Sequence, residues 1–305
     1  MKVPYSYLTQ QFDPDKPLAR AIFEDFRTLF SDGDFTLGWP VRRFEEAFQA
    51  KFRVKHAIGV SNGTDALALS LQALGFDNKR EWVVTTPNSF IATAGAILQA
   101  GANVRFVDVK GDYLIDKKQA HFASARCAIG VDLTGNPVHW DANDDWLEGK
   151  RYIRDAAQAI GAEVDGVSVA NLGDAVCFSL HPLKNLNVAG DGGVVTTNND
   201  EVAARVRLLR NHGLEDRGTA VLPGFNHRLS SLQAIVAYHQ MMWKGEDGFD
   251  WVTERRIANA ELYLACLGTF PMVGLPIPHT RVKAVYHTYV IRVQRRAALR
   301  AYLAE

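Results

Sequence analysis

Net charge, paired cysteines, metal-type histidine spacing and long apolar runs are all missing from this 305-residue chain. Lysine plus arginine number 34 and aspartate plus glutamate number 34, with the signs interspersed. Without a basic excess there is no electrostatic footprint for a nucleic acid, and there is no acidic tail. Cys127, Cys177 and Cys266 form an odd set without metal-type spacing, and two lie in apolar strand-like runs. They read as reduced, buried thiols of a cytoplasmic protein. The nine histidines are scattered, so no metal site is expected. The opening Met1-Lys2-Val3-Pro4-Tyr5 has no apolar signal core, and no run is long enough to span a membrane. Internal repeats and low-complexity stretches are absent too.

What is present is alternation. An amphipathic helix is expected over Pro17–Phe30, with Leu18, Ile22, Phe26 and Phe30 on one stripe. Phe44, Phe48 and Phe52 then repeat at helical spacing as core-facing aromatics. From His56 strands and helices alternate: Ala57–Val60, helix Asp65–Leu74, Trp82–Thr86, helix Ala92–Ala100, Val104–Val109, Ala128–Leu133, Tyr152–Asp155, Ala175–Leu180 and Gly193–Thr197. Near-continuous apolar strands joined by helices predict an α/β fold with a mostly parallel sheet covered on both faces. Ligands in such sheets bind beyond the carboxyl ends of the strands, where Asn62, Asn88 and Asp155 fall. Helices follow at Asp200–Arg210, with Gly213 as C-cap, at Ser230–Trp243 and at Val252–Leu267. A Pro- and Gly-rich break, Pro271–Pro278, precedes a strand at Tyr286–Val293 and a helix from Ala297 to Glu305. Asp108, Asp132 and Asp191 read as turn or cap residues, and His227 and Arg228 as parts of a solvated loop.

The stretch Asp174–Gly193 organises the chemistry. An apolar strand carrying Ser179 meets a turn at Pro182. A single lysine, Lys184, follows in uncharged surroundings before the glycines 190, 192 and 193. A desolvated lysine has a lowered pKa and can act as a nucleophile toward a carbonyl; the plainer role is a solvated loop lysine. Upstream, Arg154-Asp155-Ala156-Ala157-Gln158-Ala159 ends an apolar segment on a carboxylate. Such a group can keep a pyridine nitrogen protonated, because a nearby opposite charge favours the charged form. Asp155 could instead cap the following segment, and Gln158 would face the same side. Ser61-Asn62-Gly63-Thr64-Asp65 joins a strand to a helix start. There, unpaired N–H groups favour a phosphate, and Gly63, Thr64 and Ser179 are candidate contacts. An ordinary helix cap and a strand hydroxyl are the alternatives. Phe90, just past a strand end, could stack on a planar ring or sit in the core.

These stretches have an order. Gly59–Leu67, Thr86–Thr93, Asp155–Ala159, Cys177–Lys184, Gly190–Gly193, Leu209–Gly213 and Gly224–Ser230 follow one another as in the DegT/DnrJ/EryC1/StrS family of sugar aminotransferases, which the chain resembles over nearly its whole length. The resemblance implies fold type I: a three-layer α/β domain, here over residues 34–245, and a smaller α+β domain over 246–305. A segment, 1–33, would pack near the active site or the small domain. It implies pyridoxal 5'-phosphate as cofactor, with Lys184 forming the Schiff base and shuttling the proton. Asp155 would partner the ring nitrogen, Gln158 would flank the ring hydroxyl, and Phe90 would stack. Gly63, Thr64 and Ser179 would hold the phosphate. Asn226 would reach the phosphate of the other subunit, so a homodimer is implied. The substrates implied are a nucleotide-linked keto sugar and an amino donor, glutamate. Relatives with histidine in place of the lysine are dehydratases, so Lys184 favours transamination. A sugar dehydratase or eliminase and an inert shortened paralogue are the alternatives.

Four departures stand out. Arg154 occupies a usually acidic position. Val131-Asp132-Leu133-Thr134-Gly135 replaces a usual His-Leu-Tyr-Gly. The segment from Gly135 to Arg151 is short. The chain ends at Glu305, where the family normally continues through the small domain.

Overall fold

The computed structural model describes residues 6–139, 145–276 and 279–304. Met1–Tyr5, the end of the Pro271–Pro278 break and Glu305 lie outside the described residues.

A single helical turn, Leu8–Gln11, precedes helices α1 (Pro17–Asp32) and α2 (Trp39–Phe52). Proline at N1 opens α1, where its missing N–H costs nothing, and Gly33 closes it in the left-handed region at φ +70°. The buried stripe of α1 is Leu18, Ala19, Ile22 and Leu29; Phe30, expected inward, is 64% exposed. The helix runs two residues past Phe30, and its last turn presents Leu29 to the core instead. On α2, Phe44, Phe48 and Phe52 are buried as their spacing predicts. Their rings lie 5.8 Å (Phe44–Phe48) and 5.6 Å (Phe48–Phe178) apart, and Phe52 meets Phe249 at 6.1 Å. Each such pair adds about 0.5–1.5 kcal/mol beyond the area it buries.

Seven strands form the central sheet: β1 (His56–Val60), β2 (Trp82–Thr85), β3 (Asn103–Phe106), β4 (Cys127–Val131), β5 (Arg151–Asp155), β6 (Ala175–Ser179) and β7 (Gly193–Thr197). Their order is β1-β7-β6-β5-β4-β2-β3. The pairs β3–β2, β2–β4, β4–β5 and β5–β6 are parallel, and only β7 runs against its two neighbours. Helices α3 (Gly63–Ala73) and α4 (Ile91–Ala100) follow β1 and β2. The sheet is therefore mixed but mostly parallel, and helices cover both faces, as the apolar strands required. Cys127 and Cys177 are buried within it, whereas Cys266, expected buried, is exposed.

Beyond the sheet come α5 (Asp200–Leu209), α6 (Ser231–Met242) and α7 (Phe249–Leu267). Arg210, not Gly213, is the C-cap of α5; Gly213 sits three residues further on, at φ +71°. The strand expected over Tyr286–Val293 shrinks to Arg292–Val293, paired with Val273–Gly274. Its first half is used otherwise. Val285 N–H donates to the Gly135 carbonyl at 2.9 Å, and Tyr286 turns through φ +47°. Gly135, at φ +84°, is required there: a Cβ on it would lie 2.8 Å from the His287 nitrogen.

Candidate active site

The carboxyl ends of the parallel strands open into one cleft of about 680 Å³. Its walls include Gly63, Thr64, Phe90, Asp155, Gln158, Ser179 and Lys184, seven of the eight residues the sequence singles out. Each is placed by a strand end or by the first turn after one. Asn226 is the exception. It is exposed, pairs with Asn211 through a short bridge, and does not line the cleft.

Lys184 lies in a turn beyond β6, its N–H donating to the His181 carbonyl at 2.8 Å. Two asparagines fix that turn from behind. Asn187 Nδ2 donates to the Lys184 carbonyl at 3.2 Å and exchanges amide bonds with Gln11 at 3.1 and 3.2 Å. Asn185 Nδ2 donates to the Val285 carbonyl at 3.3 Å. The N-terminal helical turn and the C-terminal segment thus both hold the lysine loop. Burial pushes the Lys184 amine below the usual lysine range, against the pull of the Asp155 charge. The uncharged fraction at neutral pH therefore exceeds that of a surface lysine. Reaction of the Lys184 amine with an aldehyde probe, followed by absorbance, is expected to level off at a pH below the ordinary lysine value of 10.5 and to slow as the lowered pKa is crossed. A rate that climbs all the way to the ordinary lysine value of 10.5 would contradict this.

Asp155 ends β5, buried. Burial pushes its carboxyl up; the Thr93 hydroxyl, the Ala157 N–H and the Lys184 charge pull it back. The Thr93 bond is 2.7 Å and the Ala157 bond 3.2 Å, so one oxygen of Asp155 also serves the cap role weighed from the sequence. At the start of α3 the N-cap is Asn62, whose side chain accepts from Asp65 N–H at 2.9 Å. Thr64 is not spent as a cap. Gly63 packs directly on Ser179: a Cβ there would come within 2.9 Å of the Ser179 Cβ. That close approach brings a helix N-terminus and a strand-end hydroxyl to one point, which is the donor set a phosphate needs. Phe90 is 70% exposed at the rim, at the N-cap position of α4, so it is not a core aromatic.

The structure adds residues that sequence reasoning passed over. Asp191, read as a turn residue, lines the cleft with His181 and His287. Burial, with Lys184 and Arg256 nearby, pushes His287 down to about 3, leaving a neutral imidazole. No spacing marked it, because its segment read as a strand. Asp132 opens a turn as expected, its carbonyl accepting from the Gly135 N–H at 3.0 Å, but its side chain does more. It is fully buried and accepts from Arg154 Nη1 at 2.9 and 3.0 Å and from the Val138 N–H at 2.8 Å. Arg154 also donates to the Val138 carbonyl at 2.8 Å and the Leu172 carbonyl at 3.1 Å. Arg154 and Asp132 are two of the four departures, and they explain each other. In this chain the two unusual residues form one buried acid–arginine pair.

The sheet order, the cleft at its carboxyl end and the lysine facing a carboxylate define an α/β transferase of fold type I. The profile of the DegT/DnrJ/EryC1/StrS aminotransferase family matches residues 17–305, and the chain belongs to that family. A pleiotropic regulatory protein of Geobacillus stearothermophilus is 35% identical over 313 residues, covering 100% of this chain and 82% of that one. A dTDP-3-amino-3,4,6-trideoxy-alpha-D-glucose transaminase of Streptomyces venezuelae is 33% identical, covering 93% of this chain and 77% of its own. Among solved structures, S. venezuelae DesV in complex with a ketimine intermediate superposes with a TM-score of 0.90 at 31% identity, over 99% of this chain and 81% of DesV.

Proposed function

We propose that this aminotransferase uses pyridoxal 5'-phosphate to place an amino group, taken from glutamate, on the keto carbon of a nucleotide-linked sugar. The observation that carries the reading is that Lys184 and Asp155 line one cleft and each feels the other's charge. Transaminases of dTDP- and UDP-linked sugars among the relatives support the substrate class.

The residues present fit the cofactor. The packing of Gly63 on Ser179 brings N–H and hydroxyl donors together at one wall of the cleft, with Thr64 beside them, a donor set that suits a phosphate. Asp155 supplies the carboxylate for a ring nitrogen, Phe90 a face for the ring, and Gln158 an amide along its edge. Pyridoxal phosphate would supply an aldehyde that carries the amino group and a protonated ring that draws electrons from the reacting carbon. Lys184 Nζ is the nucleophile and the base: as an uncharged amine it can take a proton from the substrate carbon and return it. The buried Asp155 carboxylate would favour a positive charge on the ring nitrogen, and low-dielectric surroundings would strengthen that attraction.

We read residues 34–245 as the cofactor-binding domain, 246–305 as a smaller domain, and 1–33 as a segment packed against the lysine loop. The working unit in this reading is a cytoplasmic homodimer. Ile91, 75% exposed beside Phe90, suits a partner surface, and Asn226 is exposed. The experiment is the first half-reaction. Glutamate added to the yellow holoenzyme is expected to bleach its visible band, and a keto sugar nucleotide to restore it. Cofactor loading without any response to an amino donor contradicts transamination.

A further inference from the structure

In the cofactor reading Asp155 must stay ionised although it is buried, and among the described residues two groups donate a hydrogen bond to its side chain. One oxygen takes the Ala157 N–H at 3.2 Å; the other takes the Thr93 hydroxyl at 2.7 Å. Thr93 is itself buried and stands in the first turn of α4, its N–H bonded to the Phe90 carbonyl at 3.1 Å. The Thr93 oxygen also lies 2.6 Å from the Ser89 hydroxyl. A threonine has one proton to give. If it goes to the carboxylate, which accepts only, then Ser89 must donate to Thr93. The chain of donors therefore runs one way, Ser89 to Thr93 to Asp155, and ends on the anion.

The local sequence explains the placement. Ser89, Phe90 and Thr93 share one turn: Ser89 and Thr93 are spaced i,i+4 and meet on the inward side, while Phe90 projects to the rim. The same turn is the positive end of the α4 dipole, which adds to the attraction for a carboxylate. On an apolar helix a threonine would ordinarily bond back to its own backbone; this one bonds across to β5, 62 residues away in sequence.

We propose that Thr93 is a positioning residue: its hydroxyl, oriented by Ser89, fixes the Asp155 carboxylate in the direction of the cofactor ring nitrogen and locks it to the turn that carries Phe90. The proposal rests on the cofactor reading above. It makes the stacking face and the nitrogen partner one rigid unit rather than two independent contacts.

The test uses Thr93→Val, which keeps the shape and removes the donor, and Thr93→Ser, which keeps the donor. In the cofactor-free protein, carboxyl-labelled aspartate NMR follows the Asp155 titration, assigned by its disappearance in Asp155→Asn. Thr93→Val is expected to move that titration to higher pH, and Thr93→Ser to leave it near the wild type. In the holoenzyme, Thr93→Val should lower kcat roughly 10- to 100-fold, the range for a hydrogen bond to a charged group, with KM for the amino donor little changed. It should also speed cofactor loss on dialysis. Ser89→Ala should shift the Asp155 titration the same way but less, which keeps the test open if the valine variant fails to fold. An unmoved Asp155 titration in Thr93→Val, or in Ser89→Ala if only that variant folds, overturns the proposal. A shifted titration in a protein that never takes up pyridoxal phosphate would sustain the role of Thr93 and sink the cofactor reading instead.

Discussion

Replacing Lys184 with alanine is expected to abolish the visible absorbance of the cofactor-loaded protein and to cost transamination more than any other single change. Two functions leave together. In the proposed mechanism the nucleophile that would tether the aldehyde is gone, and so is the proposed base at the substrate carbon, which alone is worth about 10²–10⁴-fold. The proposed phosphate contacts at Gly63, Thr64 and Ser179 and the carboxylate of Asp155 remain, so weak, non-covalent cofactor binding should persist. Added alkylamine would restore part of the rate if the loss is one of base and not of fold. Wild-type absorbance in Lys184→Ala would place the tethering amine elsewhere.

The second large effect falls on stability. Arg154→Met removes one partner of a pair whose side chains are both fully buried. Asp132 then stays in the core with only the Val138 N–H of its present donors, and the Val138 and Leu172 carbonyls each lose a donor. Breaking a buried pair in this way costs about 3–5 kcal/mol. Thermal unfolding of the cofactor-free protein measures it. The deficit has a pH signature. Burial already raises Asp132 to about 6 with the arginine beside it, so the folded state holds this proton more tightly than the unfolded chain does. Stability from Asp132 is therefore greatest in acid and falls as pH rises toward 6; without Arg154 the fall continues to higher pH. Replacing both partners by apolar residues, Asp132→Leu with Arg154→Met, removes both buried charges together and is expected to recover most of the loss. An Arg154→Met protein as stable as the wild type would mean the pair contributes nothing.

That pair shows where sequence reading runs out. Lys184, Asp155, Gly63, Thr64 and Ser179 were legible as cleft residues because each carries its chemistry in its own neighbourhood: a lysine in uncharged surroundings, an acid or hydroxyl at a strand end, a glycine at a helix start. Asp132 and Arg154 are 22 residues apart, and each alone looks like a lapse from pattern. Only the parallel pairing of β4 with β5, which sets Val131 beside Asp155, brings them together. Thr93 was hidden for the opposite reason, since a threonine on an alanine-rich helix looks like packing. His287 was hidden because alternating residues at Tyr286–Val293 imitate a strand. The real constraint there is the docking of Val285 on Gly135 and Asn185, a contact no local period reports. Phe90 could stack or sit in the core by sequence alone, and its exposure decides against the core.

Borohydride reduction of the cofactor-loaded protein, followed by proteolysis and mass spectrometry, tests the assignment of the reactive amine most directly. The expected result is a single pyridoxyl adduct, on the peptide containing Lys184, formed in the presence of pyridoxal phosphate and lost when glutamate is added first. An adduct on another lysine, or none on a protein that holds the cofactor, would contradict it.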